Sequence, residues 1–141
     1  MYRIETFTDG LPADARAIRL AVFCDEQGYS PQMEFDAADR TALHFVVYDG
    51  AQAVATGRVI REDDATYYLG RIAVGKAYRG CGLGRLLVEA MAEEARRRGA
   101  QLLKLGAQTR ARGFYEKLGF RAAGEEYPDG HVPHVPMERR I

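Results

Sequence analysis

Two cysteines, three histidines and a single serine are all that this 141-residue chain offers of the residue types that most often carry covalent or metal chemistry. Cys24 and Cys81 lie far apart and form no CxxC pair, so neither a zinc knuckle nor a disulfide framework is implied. Ser30 lacks a GxSxG elbow, which excludes the usual serine hydrolase arrangement. His131-x-x-His134 encloses Pro133 in a loop setting and lacks a third ligand nearby, so no metal is expected. A formal net charge of zero argues against a general nucleic-acid binder. No apolar run approaches the ~20 residues of a membrane span. Met1-Tyr2-Arg3-Ile4-Glu5 lacks the positive and then apolar pattern of a signal peptide, and the expectation is a reduced, cytoplasmic protein without membrane contact.

What is present is ordinary for a globular protein: 47% hydrophobic and 28% charged residues. The length fits one domain spanning residues 1–141, enough to bury about two-thirds of its unfolded surface. Weak alternation over Tyr2–Phe7 predicts a short strand, and Pro12 opens a helical stripe that runs from Ala13 to Gly28. Residues 29–39 read as irregular. Leu43–Tyr48 and Ala51–Ile60 flank Asp49-Gly50, a hairpin signal, and Tyr67–Val74 completes an antiparallel meander. Helical spacing from Leu83 ends at Gly99, Gln101–Ala107 reads as a strand, and Ala111–Leu118 as a short helix. Phe120–Glu126 and Val135–Arg140 are expected to close the sheet around the Pro128-Asp129-Gly130 turn. The order β-α-β-β-β-α-β-α-β-β predicts an α/β fold, a mixed sheet of six to seven strands with helices on both faces.

The most informative stretch is Arg79-Gly80-Cys81-Gly82-Leu83-Gly84-Arg85, where a strand gives way to a helix. Glycines allow tight bending and close backbone approach, and the helix start adds unpaired N–H groups and a positive dipole end. That combination predicts a diphosphate site. It is not a Walker loop, because Cys81 stands where lysine is required. Nor is it a dinucleotide fingerprint: Gly82-x-Gly84 is followed by Leu87 in place of a third glycine, and no acid stands near residue 102.

Arg79-x-x-Gly82-x-Gly84 resembles the acetyl-CoA signature of the GCN5-related N-acetyltransferase (GNAT) family. Ala111-x-x-x-Tyr115-Glu116-Lys117-x-Gly119-Phe120 resembles the C-terminal motif of that family. Val22-Phe23-x-x-Glu26-Gln27-Gly28, then Glu34-x-Asp36-x-x-Asp39 and Ala42-x-His44, is similar to the bacterial ElaA/YjcF-like branch. The resemblance spans essentially the whole chain. It implies a GNAT-like, mostly antiparallel sheet with a splay between the fourth and fifth strands. It also implies acetyl-CoA as cosubstrate, its diphosphate on Arg79, Gly80, Cys81, Gly82, Leu83, Gly84 and Arg85, and its pantetheine arm beside Ile72, Ala73 and Val74.

By the same resemblance Tyr115 would be the acid that protonates the departing thiolate, touching the cofactor as it does so. Many family members carry a glutamate on the strand before the loop, but here that strand reads Tyr67-Tyr68-Leu69-Gly70-Arg71-Ile72, with no carboxylate. Glu26, Glu34, Asp36, His44 and His134 stand as alternative bases, as does an ordered water. The acids, with Asp39, suit a cationic small-molecule amine or peptide; Arg58 and Arg71, if they face the cleft, suit an anionic acceptor. The implied activity is acetyl transfer to a primary amine, with a silent acetyl-CoA-binding sensor as the rival reading. Exposed sheet edges leave a homodimer open.

Overall fold

The computed structural model describes residues 1–141. One interior strand, β2 (Leu43–Asp49), is buried along nearly its full length. Strand alternation sends Phe45 and Val47 into one apolar cluster and Val46 and Tyr48 into another on the opposite face. Both faces of the sheet are therefore covered. β1 (Tyr2–Phe7), β2, β3 (Gln52–Arg61) and β4 (Thr66–Val74) run antiparallel in chain order. β5 (Leu102–Gln108) then joins β4 in parallel, and β8 (Val132–Arg140) pairs antiparallel with β5. Two short strands, β6 (Arg121–Ala122) and β7 (Tyr127–Asp129), both pair with β8 and complete an eight-stranded sheet.

The larger cluster lies beneath α3 (Leu83–Arg97), which buries Leu83, Leu87, Val88, Met91, Ala92 and Ala95 at helical spacing. Deleting one of the larger of these side chains would cost about 2–5 kcal/mol, transfer and cavity terms together. Close seating requires Gly57 on β3: a Cβ there would lie 2.6 Å from the Met91 sulfur. α4 (Arg112–Lys117) follows β5 and adds Tyr115 to the same cluster. On the opposite face α1 (Ala13–Arg19) covers Val46 and Tyr48 with Ala15, and Ile18, Val22, Phe23 and Ala73 form a small core of their own.

Three local details differ from the sequence expectation. The first helix does not keep one geometry to Gly28; it widens to π-helical turns over Leu20–Glu26, with the Gln27 N–H bonded to the Val22 carbonyl. Residues 29–39 are more ordered than their composition implies. Ser30 caps α2 (Pro31–Glu34), and Asp36 and Asp39 form a reciprocal capping box around the turn Ala37–Arg40. Of the expected strand Phe120–Glu126 only β6 forms, and the Pro128-Asp129-Gly130 turn instead closes a β7–β8 hairpin.

A buried ion network ties the α1 face to the meander. Arg19, 1% exposed, donates to Glu34 and to both carboxylate oxygens of Asp39. Arg58 bridges Asp36 and Asp39, and Arg71 reaches Glu34 and Asp36. Burial pushes the Asp39 carboxyl up, but hydrogen bonds and charge from Arg19 and Arg58 outweigh it and hold it at about 2. Burial dominates at Glu34 and raises it despite the same cations. Desolvating such ions offsets most of their attraction, so the network adds little beyond what an apolar core would give. Breaking it is another matter, since an unmatched buried charge costs about 3–5 kcal/mol.

Asp39→Asn should therefore destabilise the fold by about 3 kcal/mol in urea unfolding. Asp39 is depressed, so its contribution is full above its ordinary value of 3.8 and is lost as pH falls through about 2. The wild type should lose about 2 kcal/mol more than the variant between pH 5 and pH 2. Glu34 acts with the opposite sign, favouring the native state most at low pH. Parallel acid-loss curves for the two proteins would contradict this assignment.

Candidate functional site

The parallel pairing of β4 with β5 lasts only from Thr66–Tyr68 against Leu102–Lys104. Beyond it the strands part. Between Thr56 and Arg58 the β3–β4 register shifts by one residue, placing Arg71 and Ile72 opposite Gly57 in a bulge. Arg71 takes φ 50°, a left-handed conformation that costs a side-chain-bearing residue about 1–2 kcal/mol. Its guanidinium is tied to the Glu34 carbonyl and carboxylate, which holds the bulge in place. The result is the splay anticipated between the fourth and fifth strands.

A cleft of about 300 Å³ opens in this splay. Leu69, Gly70, Arg71 and Ile72 line it from β4, and Leu105, Gly106 and Gln108 from β5. Tyr115 enters from α4, edge-on to Phe114 and Phe120. Burial alone pushes its phenol up to about 12, and no other group of the chain perturbs it. At neutral pH it therefore carries its proton into an apolar setting.

The glycine loop follows β4 and meets α4, Gly84 facing the Phe114 ring, and none of residues 79–85 lines the cleft itself. Gly80 and Gly82 have φ 79° and 81°, and a Cβ at either would meet nothing within 4 Å. The N–H groups of residues 80–85 make no hydrogen bond within the chain, the first donor in α3 being Leu86 to the Gly82 carbonyl. Six successive amides, ending at a helix N-terminus, are thus left without partners, the kind of donors an anion can use. Gly84 serves packing instead, since its missing side chain admits Phe114, whose ring would lie 3.1 Å from a Cβ.

The side chains of this loop behave unequally. Arg79 turns back, donating to the Val74 carbonyl at 3.0 Å and to Glu26 at 2.7 Å. Arg85 is exposed and has no ion-pair partner. Leu83 is core, and Cys81 is exposed. Ile72 lines the cleft, Ala73 packs below it against Val22 and Phe23, and Val74 pairs with Ala55.

Of the other expected site residues, Glu34, Arg71 and His134 line the cleft, whereas Glu26, Asp36, His44 and Arg58 lie off it. Glu34, Asp36, Arg58 and Arg71 are occupied with one another in the ion network. His44 is fully buried; its Nε2 faces the Asp39 carbonyl and so carries the proton, leaving Nδ1 without a partner. Burial lowers its pKa and keeps it neutral. No cluster of three His, Cys, Asp or Glu side chains is spaced to hold a metal ion.

Sequence reasoning missed the far wall. Tyr29 and the hairpin residues Tyr127 and Asp129 also line the cleft, with Tyr68 from β4. The Tyr29 hydroxyl donates to the Asp129 carbonyl at 2.7 Å, joining residues a hundred positions apart. The Tyr127 hydroxyl rests on Gly106, where a Cβ would collide with it. Nothing local marks these contacts. The one signal was the turn Pro128-Asp129-Gly130, which predicts a hairpin but not where its tip lands.

Residues 12–141 match the acetyltransferase (GNAT) domain family. The uncharacterized N-acetyltransferase YjcF of Bacillus subtilis (strain 168) is 38% identical over 125 residues, covering 88% of this chain and 89% of that protein. The crystal structure of Escherichia coli ElaA superposes with a TM-score of 0.88 at 27% identity, covering 99% of this chain and 100% of that one. A GNAT family acetyltransferase from Elizabethkingia anophelis, solved with acetyl-CoA bound, shares the fold at a TM-score of 0.79 and 16% identity, covering 99% of this chain and 98% of that one.

The geometry around His44 makes a direct prediction. In an NMR titration its imidazole should change charge below the ordinary 6.5, in keeping with a neutral, sealed ring. A midpoint at or above 6.5 would mean that the ring is charged in the fold and that its surroundings are misassigned.

Proposed function

Because this chain belongs to the GNAT acetyltransferase family, in its ElaA/YjcF-like branch, we propose that it moves acetyl from acetyl-CoA to a primary amine by direct attack within a ternary complex. The observation that carries this reading is the run of free amides from Gly80 to Arg85, joined through the Gly84–Phe114 contact to the helix that sends Tyr115 into the cleft. The donors suit a diphosphate, and the exposed Arg85 guanidinium adds a cation at the same end. The gap between β4 and β5 leaves main-chain groups of Leu69–Ile72 free on one side, where a pantetheine amide can pair as an added strand does.

Tyr115 is the proton donor in this reading. A phenol held up at about 12 is a weak acid, so it serves chiefly by hydrogen-bonding the thiolate as charge develops, with transfer following as the sulfur leaves. Leu105, Ala111 and Ile72 keep the surroundings apolar, which strengthens that bond. A sensor that holds acetyl-CoA without turnover would need the loop but not the phenol.

Tyr115→Phe should lower kcat about 100-fold and leave CoA affinity within about twofold, read by free-thiol release and calorimetry. Gly82→Asp should abolish measurable CoA binding, because it strains a left-handed position and sets a carboxylate among the donors. An unchanged affinity in the Gly82 variant would remove the loop from the site. Wild type that binds CoA but releases no thiol above background, across a panel of amines, would favour the sensor.

A further inference from the structure

We propose that His134 is the base that takes the proton from the acceptor ammonium, with the Val132 carbonyl fixing its tautomer and Asp129 supporting its charged form. This rests on the acetyl-transfer reading above. An alkylammonium with a pKa near ~10 is almost wholly protonated at neutral pH and has no lone pair to attack with. The site must therefore contain a group able to accept that proton, or pass it to solvent.

His134 sits on β8 opposite Gln108 of β5, next to the open end of the splay. It is 6% exposed and lines the same cleft as Tyr115. Its Nδ1 lies 3.0 Å from the Val132 carbonyl. A carbonyl only accepts, so Nδ1 carries the proton and Nε2 is left as the acceptor. Nε2 hydrogen-bonds to nothing in the chain and is not sealed from solvent. Asp129 Oδ2 lies 3.8 Å from it, half-exposed at the cleft rim.

The alternatives around the cleft are poorer. Glu34 would have to leave two guanidiniums, Arg19 at 2.8 Å and Arg71 at 3.1 Å, to accept a proton and pass it on. Burial raises Tyr29 and lifts Tyr127 to about 12, so both are proton donors at neutral pH. His44 lies off the cleft and is sealed. The groups facing His134 are Tyr127 and Asp129 from β7 and Gln108 from β5, with Tyr29 behind Asp129. Asp129 is the only formal charge among them, a carboxylate 3.8 Å from Nε2.

One N–H proton of the ammonium passes to His134 Nε2 and on to solvent past Asp129. The freed lone pair forms the C–N bond while the C–S bond breaks with its electron pair on sulfur. Tyr115 protonates the sulfur and is itself replenished by the proton that nitrogen sheds on becoming an amide. One proton is released to solvent for each acetyl group transferred.

The test is kcat against pH for wild type, His134→Gln and Asp129→Asn, using the best alkylamine of the panel and following thiol release. At neutral pH His134→Gln should lose about 100-fold in kcat while its CoA affinity, by calorimetry, stays within about twofold. The loss should shrink as pH approaches the pKa of the amine, because free amine then needs no base. Asp129→Asn should lower kcat by a smaller factor, since the proton then arrives on Nε2 without the carboxylate 3.8 Å away. A His134→Gln deficit that is equal at every pH, or an unmoved rate, overturns the assignment alone. Wild type that turns over no amine overturns it together with the transfer reading.

Discussion

The early end of the β4–β5 pairing is the constraint on which the rest of this molecule depends. Two parallel strands that continued hydrogen-bonding past Tyr68 and Lys104 would seal the sheet and leave no cleft. What keeps them apart is largely on the β4 side. The bulge at Arg71 bends that strand, and an extra residue re-aims its side chains. A left-handed conformation at arginine is unfavourable by itself, so something must hold it. That something is the set of bonds from the Arg71 guanidinium to Glu34 and Asp36.

The ion network is thus tied to the gap as well as to the core. Arg19, Arg58 and Arg71 match Glu34, Asp36 and Asp39 in number, and all six meet where the α1 face joins the meander. An apolar core of the same volume would be about as stable. It would not hold a strand in a strained register by directional bonds. The cost of the arrangement is visible in two atoms, Arg58 Nε and His44 Nδ1, buried without partners on residues paired across β2 and β3.

How much of this was legible in the sequence follows from how local each feature is. The glycine loop was readable because its features lie in consecutive residues: the glycine conformations, the helix start and the free amides all fall within 80–85. The strand-helix alternation and the partial splay were readable with it, through periodicity and the family resemblance. The fate of Glu34, Asp36 and Asp39 was not. Their spacing was compatible with a cationic acceptor surface, and only the folded chain brings Arg19, Arg58 and Arg71 to them from three separate elements. The far wall was least readable, since Tyr29, Tyr127 and Asp129 meet only because the β7–β8 hairpin packs against the segment that follows the first helix. The π-helical widening at Leu20–Glu26 likewise left no trace in a stripe of apolar residues that suits either helix.

The pairing of these charges changes what the cleft can ask of an acceptor. Three acids that looked free are neutralised by three guanidiniums, so the field they project into the cleft is small. Glu26 is likewise matched, by Arg79. The carboxylate left at the rim is Asp129, whose one cationic neighbour is a histidine that is neutral until it takes a proton. The remaining walls are aromatic and amide: Tyr29, Tyr68 and Tyr127, Phe23, and the Gln27–Gln108 pair joined at 2.7 Å. A polyamine or other strongly cationic acceptor needs several fixed carboxylates, and this cleft supplies one. A single amine on an apolar or aromatic body matches both the walls and the lone charge.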